Sequence, residues 1–90
     1  MPAIRISKSA REFIEKLAPK EAKQIAVKVF SLSVDPRPHD SKLLKGSSGD
    51  YLRVDSGEFR IIYRIEGEIL LVSDIGKRND DEVYRRFGRR

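Results

Sequence analysis

The sequence of 90 residues contains no cysteine, which rules out both a disulfide and a thiolate-held zinc as staples of the fold. Tryptophan is also missing, and the one histidine, His39, lies between two residues of a proline-rich segment. No Asp, Glu and His set shows the spacing of metal ligands, so neither a metal nor another cofactor is expected. The longest apolar stretches fall far short of the ~20 residues that span a bilayer, and the N-terminus lacks the apolar segment of a signal peptide. The expectation is a soluble, cytoplasmic protein with no membrane partner.

What is present fits one domain covering residues 1–90. A chain of this length buries only about 60% of the surface that its unfolded form exposes, so its core is thin. Hydrophobic residues make up 39% and charged residues 37%, a polar balance for a small globule. Lys and Arg total 19 against 14 Asp and Glu, a net charge of +5. That excess suggests a polyanionic partner, nucleic acid or an acidic protein, but many small basic proteins share it.

Ile4 and Ile6 alternate within 3–7, as in a short strand. Ser9 and Glu12 have the spacing of a capping box, and Ala10, Phe13, Ile14 and Leu17 then share one helical stripe. Pro19 suits the first turn of a second helix, whose stripe is Ala22, Ile25, Ala26, Val29 and Leu32. Asp35-Pro36 ends it, because proline disfavours helix in the residue before it. A polar loop with Gly46 and Gly49 leads into three strands, 51–55, 58–65 and 68–75, turning at Ser56-Gly57 and Glu66-Gly67. A last helix over about 80–87 is expected, with Asn79 as its cap. Strand, helical hairpin, meander and terminal helix give an α+β class, with the helical hairpin on one face of an antiparallel sheet.

Two-residue loops at those positions pair Val54 with Phe59, Arg53 with Arg60 and Leu52 with Ile61, and set Arg60 opposite Ser73. Leu52, Val54, Phe59, Ile61 and Tyr63 then face the helices, while Tyr51, Arg53, Arg60, Ile62 and Arg64 face away. A lone strand arginine reads as a solvated face. Two arginines directly opposite repel, and that cost favours an anion site over a merely wet surface. Nearer the C-terminus, Val83 and Phe87 are spaced as a buried stripe, with Tyr84 at its edge. On spacing alone Tyr84 is a packing residue with a wet hydroxyl, and Arg78, Arg85, Arg86, Arg89 and Arg90 are solubilising.

Two motifs go further. The stretch LRVDSGEFRIIYRIEGEILLV, residues 52–72, resembles the sheet core of the RelE/ParE superfamily of toxins, and GKRNDDEVY, residues 76–84, resembles the C-terminal signature of its RelE branch. A helical hairpin followed by a Lys-Leu-x-Gly-like loop, Lys42 to Gly46, agrees in order and length, so the resemblance covers nearly the whole chain. It implies a type II toxin–antitoxin toxin: a metal-independent, ribosome-dependent endoribonuclease that cleaves messenger RNA in the A site. Its partners would be a RelB-like antitoxin from a neighbouring gene, the ribosome and, through the antitoxin complex, operator DNA. Arg53, Arg60, Arg78 and Tyr84 match the catalytic cluster, and Lys42, Lys45, Tyr51 and Lys77 are expected to contact RNA. The family usually has a basic residue where Tyr51 stands; Lys45 is a candidate to supply that charge and Tyr51 to stack on a base.

Many ribonucleases divide acid and base between histidines, but His39 lies outside this cluster and reads as a surface residue. Arginines stay protonated and suit clamping of a phosphate that gains charge. Tyr84, its pKa drawn down by neighbouring cations, would then be the base. Two alternatives share the fold: a ParE-like gyrase inhibitor, and an inactive homologue that binds antitoxin as a co-repressor.

Overall fold

The computed structural model describes residues 3–44 and 51–78. They form β1 (Ala3–Ile6), α1 (Lys8–Glu15), α2 (Pro19–Val34), β2 (Lys42–Leu43), β3 (Leu52–Ser56), β4 (Phe59–Glu66) and β5 (Ile69–Lys77). One sheet contains all five strands, in the order β1-β5-β4-β3-β2. β1 runs parallel to β5 and the other pairs are antiparallel. The α+β class and the meander agree with the sequence. The sheet is wider than three strands because the N-terminal segment docks along β5 and Lys42–Leu43 pairs with β3.

α1 begins earlier than the capping-box spacing suggested. Its cap is Ser7, not Ser9: the Ser7 hydroxyl accepts from the Ala10 amide at 3.1 Å and donates to the Ser73 carbonyl at 2.6 Å. Ser9 is already inside the helix, and its hydroxyl donates to Asp74 Oδ1 at 3.3 Å. The cap therefore also ties α1 to β5. α2 starts at Pro19, where the missing N–H costs no helical bond, and ends at Val34, with Asp35 as its cap ahead of Pro36. Ile25, Val29 and Leu32 are buried as the stripe requires, but Ala26 is exposed, so that stripe is narrower than the sequence suggested.

Both helices lie on one face of the sheet. Ala10, Ile25, Val29 and Leu32 pack with Leu52, Val54, Phe59, Ile61, Tyr63, Leu70, Val72 and Ile75 in a single core. Phe13 meets Phe59 edge-on, with ring centroids 5.8 Å apart. Tyr63 is fully buried, and its hydroxyl donates to the Pro36 carbonyl at 2.7 Å, which pins the segment after α2 to the middle of β4. Burial raises the pKa of that phenol above its ordinary value. His39 is exposed.

Candidate functional site

Strand residues left out of the core alternate onto the face away from the helices, where the register arranges them in rows. Lys42, Arg53 and Ile62 lie level with one another, and Asp55, Arg60 and Gly76 form the next row. The site therefore depends on which residues the two hairpin turns bring side by side.

Arg53 and Arg60 do not face each other, contrary to the expectation from sequence. Arg53 pairs with Ile62, and Arg60 with Asp55. The cause is the turn type. Gly57 and Gly67 have φ of +60° and +57°, and no non-glycine among the described residues has a positive φ. Positive φ at the first loop position alone is the type II′ pattern, so the loops are Gly57-Glu58 and Gly67-Glu68 and not Ser56-Gly57 and Glu66-Gly67. Each partner moves by two places, which preserves the facing of every side chain and changes every neighbour. A bulge at Ser73 adds one further step on β5, so Arg60 lies level with Gly76 and not with Ser73. Gly76 has no side chain to crowd the guanidinium. The like-charge pair does exist, but elsewhere: Lys42 stands opposite Arg53.

Asp55 gathers the cations. Arg60 Nε donates to Asp55 Oδ1 at 2.8 Å and Arg60 Nη2 to Oδ2 at 3.4 Å, while Arg78 Nη1 stands 3.9 Å from Oδ2. Asp55 is held below the usual carboxylate pKa, first by the Arg60 hydrogen bond and then by the charges of Arg60, Arg78 and Arg53, against the opposing effect of desolvation. Arg78 is anchored by its backbone, whose amide donates to the Glu58 carbonyl at 2.9 Å, so the end of β5 is tied to the first hairpin turn. Of the four residues expected to form the catalytic cluster, Arg60 and Arg78 meet at Asp55, and Arg53 stands two residues along β3 on the same face. The fourth, Tyr84, lies outside the described residues, as do Lys45 and the helix expected over 80–87. Lys42 shares the row of Arg53, whereas Lys77 pairs with Phe59 and so falls on the opposite pleat.

Asp55 is the residue that sequence reasoning missed. The signal was available: placing glycine first in each loop brings Asp55 beside Arg60. A guanidinium fork that holds a carboxylate at two oxygens presents the geometry that also holds a phosphate. Among the described residues, no three His, Cys, Asp or Glu side chains gather where they could bind a metal ion.

A family model described as the ParE toxin of the type II toxin–antitoxin system, parDE, matches residues 4–82. That span takes in both helices, the sheet from Ile4 onward, and Arg53, Arg60 and Arg78. The chain belongs to the ParE toxin family. It thus falls within the RelE/ParE superfamily that its two motifs suggested. The same fold occurs in solved RelE structures. The RelBE2 toxin–antitoxin complex of Mycobacterium tuberculosis matches with a TM-score of 0.74 and 23% identity, over 87% of this chain and 100% of that one. The isolated RelE toxin of Escherichia coli gives 0.73 and 22%, over 99% of this chain and 97% of that one. The YoeB dimer of Staphylococcus aureus gives 0.69 and 18%, over 81% and 92%. No curated protein sequence matches this ParE-family chain.

Proposed function

We propose that this toxin is a ribosome-dependent endoribonuclease that cuts messenger RNA in the A site and so arrests translation in the cytoplasm. One observation carries the reading: Arg60 and Arg78 converge on Asp55, with the charge of Arg53 acting on the same carboxylate, where an anion is already held. In the reaction a base takes the proton of a ribose 2′-hydroxyl and the 2′-oxygen attacks the adjacent phosphorus. The bond to the 5′-oxygen then breaks as that oxygen gains a proton, leaving a 2′,3′-cyclic phosphate. Arg53 and Arg60 stabilise the phosphorane, Arg78 holds the leaving side, and Tyr84 serves as base. Lys42, Lys45, Tyr51 and Lys77 contact the RNA strand, Lys77 from the rim because of its pleat. Arginine and tyrosine are weak proton donors and acceptors at neutral pH, so much of the acceleration has to come from alignment of the RNA, which is the part the ribosome plays.

A RelB-like antitoxin from a neighbouring gene restrains the toxin and couples it to operator DNA. Support for a protein partner comes from α2, whose outward residues Val27, Phe30 and Val34 are 62%, 57% and 70% exposed, with Lys20 and Lys23 nearby. An amphipathic acidic segment fits such a face.

The match to the ParE family favours a second reading on the same fold, inhibition of gyrase. Purified toxin tested on ribosomes programmed with defined messenger RNA, and in parallel on gyrase supercoiling, separates the two. Cleaved message with a cyclic phosphate end is the expected result. Blocked supercoiling with intact message would replace the nuclease reading, and neither effect would leave a binding protein.

A further inference from the structure

Continuing the β3–β4 register past Leu52 and Tyr63 sets Tyr51 level with Arg64, on the face that carries Arg53. Tyr51 is half-buried and packs against Leu44 and Ile62, a small apolar cluster separate from the main core. Its carbonyl accepts from the Leu44 amide at 2.9 Å, which holds this end of β3 against β2. The guanidinium of Arg64 lies over the ring, 5.4 Å from its centroid, and pairs with Glu66. A guanidinium plane laid over an aromatic ring that has an apolar backing offers a flat, supported face on which an unpaired nucleobase stacks. Tyr51 also lies one pleat repeat, about 7 Å, from Arg53, so a base stacked there and a phosphate at the arginines are within one strand's span.

We propose that Tyr51 and Arg64 form a base-stacking subsite for the nucleobase beside the phosphate held by Arg53 and Arg60. This rests on the nucleic-acid reading of the arginine cluster and adds to it a subsite that recognises a base by its flat face. Every base has such a face, so the subsite accepts all four, purines ahead of pyrimidines because they offer the larger stack. Cation–π attraction holds Arg64 against the ring, which keeps the platform flat in the absence of RNA.

The test is binding of a dye-labelled, 2′-O-methyl single-stranded RNA, which cannot be cut, followed by fluorescence anisotropy. Each nucleotide is replaced in turn by an abasic one. For the wild-type toxin, an abasic residue at one position is expected to weaken binding about tenfold. Tyr51→Phe should behave like wild type. Tyr51→Leu, which keeps an apolar cover over Leu44 and Ile62, should lose about tenfold and become indifferent to that abasic position. Arg64→Ala should lose two- to threefold. The dependence of log Kd on log salt should be the same for wild type and Tyr51→Leu but shallower for Arg60→Ala, because only the last removes a phosphate contact. The proposal is overturned if Tyr51→Leu still pays the abasic penalty, if no position is sensitive in the wild type, or if the wild type does not bind the strand. Any of those results alongside message cleavage on programmed ribosomes sinks the stacking subsite and leaves the nuclease standing. A working platform without cleavage does the reverse.

Discussion

The two faces of the central hairpin are built on different rules. Toward the helices stand Leu52, Val54, Phe59, Ile61 and Tyr63, all buried in one core. Away from them stand Arg53, Asp55, Arg60 and Arg64, where Arg60 pairs with Asp55 and Arg64 with Glu66 and the Tyr51 ring. Apolar packing is non-directional, so the inner face needs only the correct pleat parity. Charges act over a few ångströms, so the outer face has no defined chemistry until each neighbour is known. A one-residue change in the turn keeps every side chain on its face and gives each a new neighbour, which matters little to the apolar packing and decides the charged pairs. Stability is therefore expected to reside on one side of these strands and activity on the other.

The largest effect that tests this division is Ile61→Ala. Ile61 is wholly buried at the centre of the sheet, and the substitution should cost about 2–5 kcal/mol in urea unfolding, a large share of the stability of so small a domain. Cleavage per folded molecule should hold. Its neighbour Arg60, one residue earlier on the other pleat, is expected to show the opposite pattern. Arg60→Ala should lower single-turnover cleavage on programmed ribosomes by about a hundredfold while shifting unfolding by about 1 kcal/mol or less. Equal losses of stability in the two variants would abolish the distinction between the faces.

The same physics explains what could be read from the sequence. Strand and helix periodicities placed Ile25, Val29, Leu32, Val54 and Ile61 correctly because burial repeats with a fixed period. Arg53, Arg60 and Arg78 were picked by their match to family motifs, and the structure brings them together. Their arrangement stays open in the sequence, because Ser56-Gly57-Glu58 and Glu66-Gly67-Glu68 each allow glycine second in the loop, as in type I′, or first, as in type II′. The bulge at Ser73 has no counterpart in the alternation of Leu70 and Val72. The Ser9–Glu12 spacing points to a later cap than Ser7, and Ser7 adds to its local bond from the Ala10 amide a bond to the Ser73 carbonyl, 66 residues away in sequence. Long-range polar contacts leave no periodic trace.

The two turns sharpen the comparison at a smaller scale. Gly57 and Gly67 share a positive φ, so alanine at either should cost about 1–3 kcal/mol of unfolding free energy. A side chain at Gly57 would also run into the Gln24 amide on α2, whereas at Gly67 it would meet nothing within 4 Å. The Gln24 amide is the end of an exposed, flexible side chain that can swing aside, so the extra cost at Gly57 should be small, and adding Gln24→Ala should remove it. Because the Gly57 turn sets the Asp55–Arg60 pairing, its variant should also lose cleavage, while Gly67→Ala should retain most of it.

The smallest effect concerns Asp55, where the two rules meet. Its carboxylate pairs with Arg60 across the strands, yet it also occupies the arginines that would hold a phosphate. Its folded pKa is depressed, so the pair stabilises the fold above the ordinary Asp pKa of about 3.9, and that contribution is lost as pH falls through the lower folded value. The side chain is 36% exposed, which limits the contribution to the range of a surface pair, about 0–1 kcal/mol. Asp55→Asn should lower the urea midpoint slightly at neutral pH, with the difference closing below about pH 4. Binding should move the other way. Removing one negative charge from beside Arg60 and Arg78 should tighten single-stranded RNA binding a few-fold at low salt, with the gain fading as salt is raised. Weaker RNA binding by Asp55→Asn would mean that the carboxylate orients the guanidinium groups for RNA instead of competing with it, and the outer face would then be organised for its ligand before the ligand arrives.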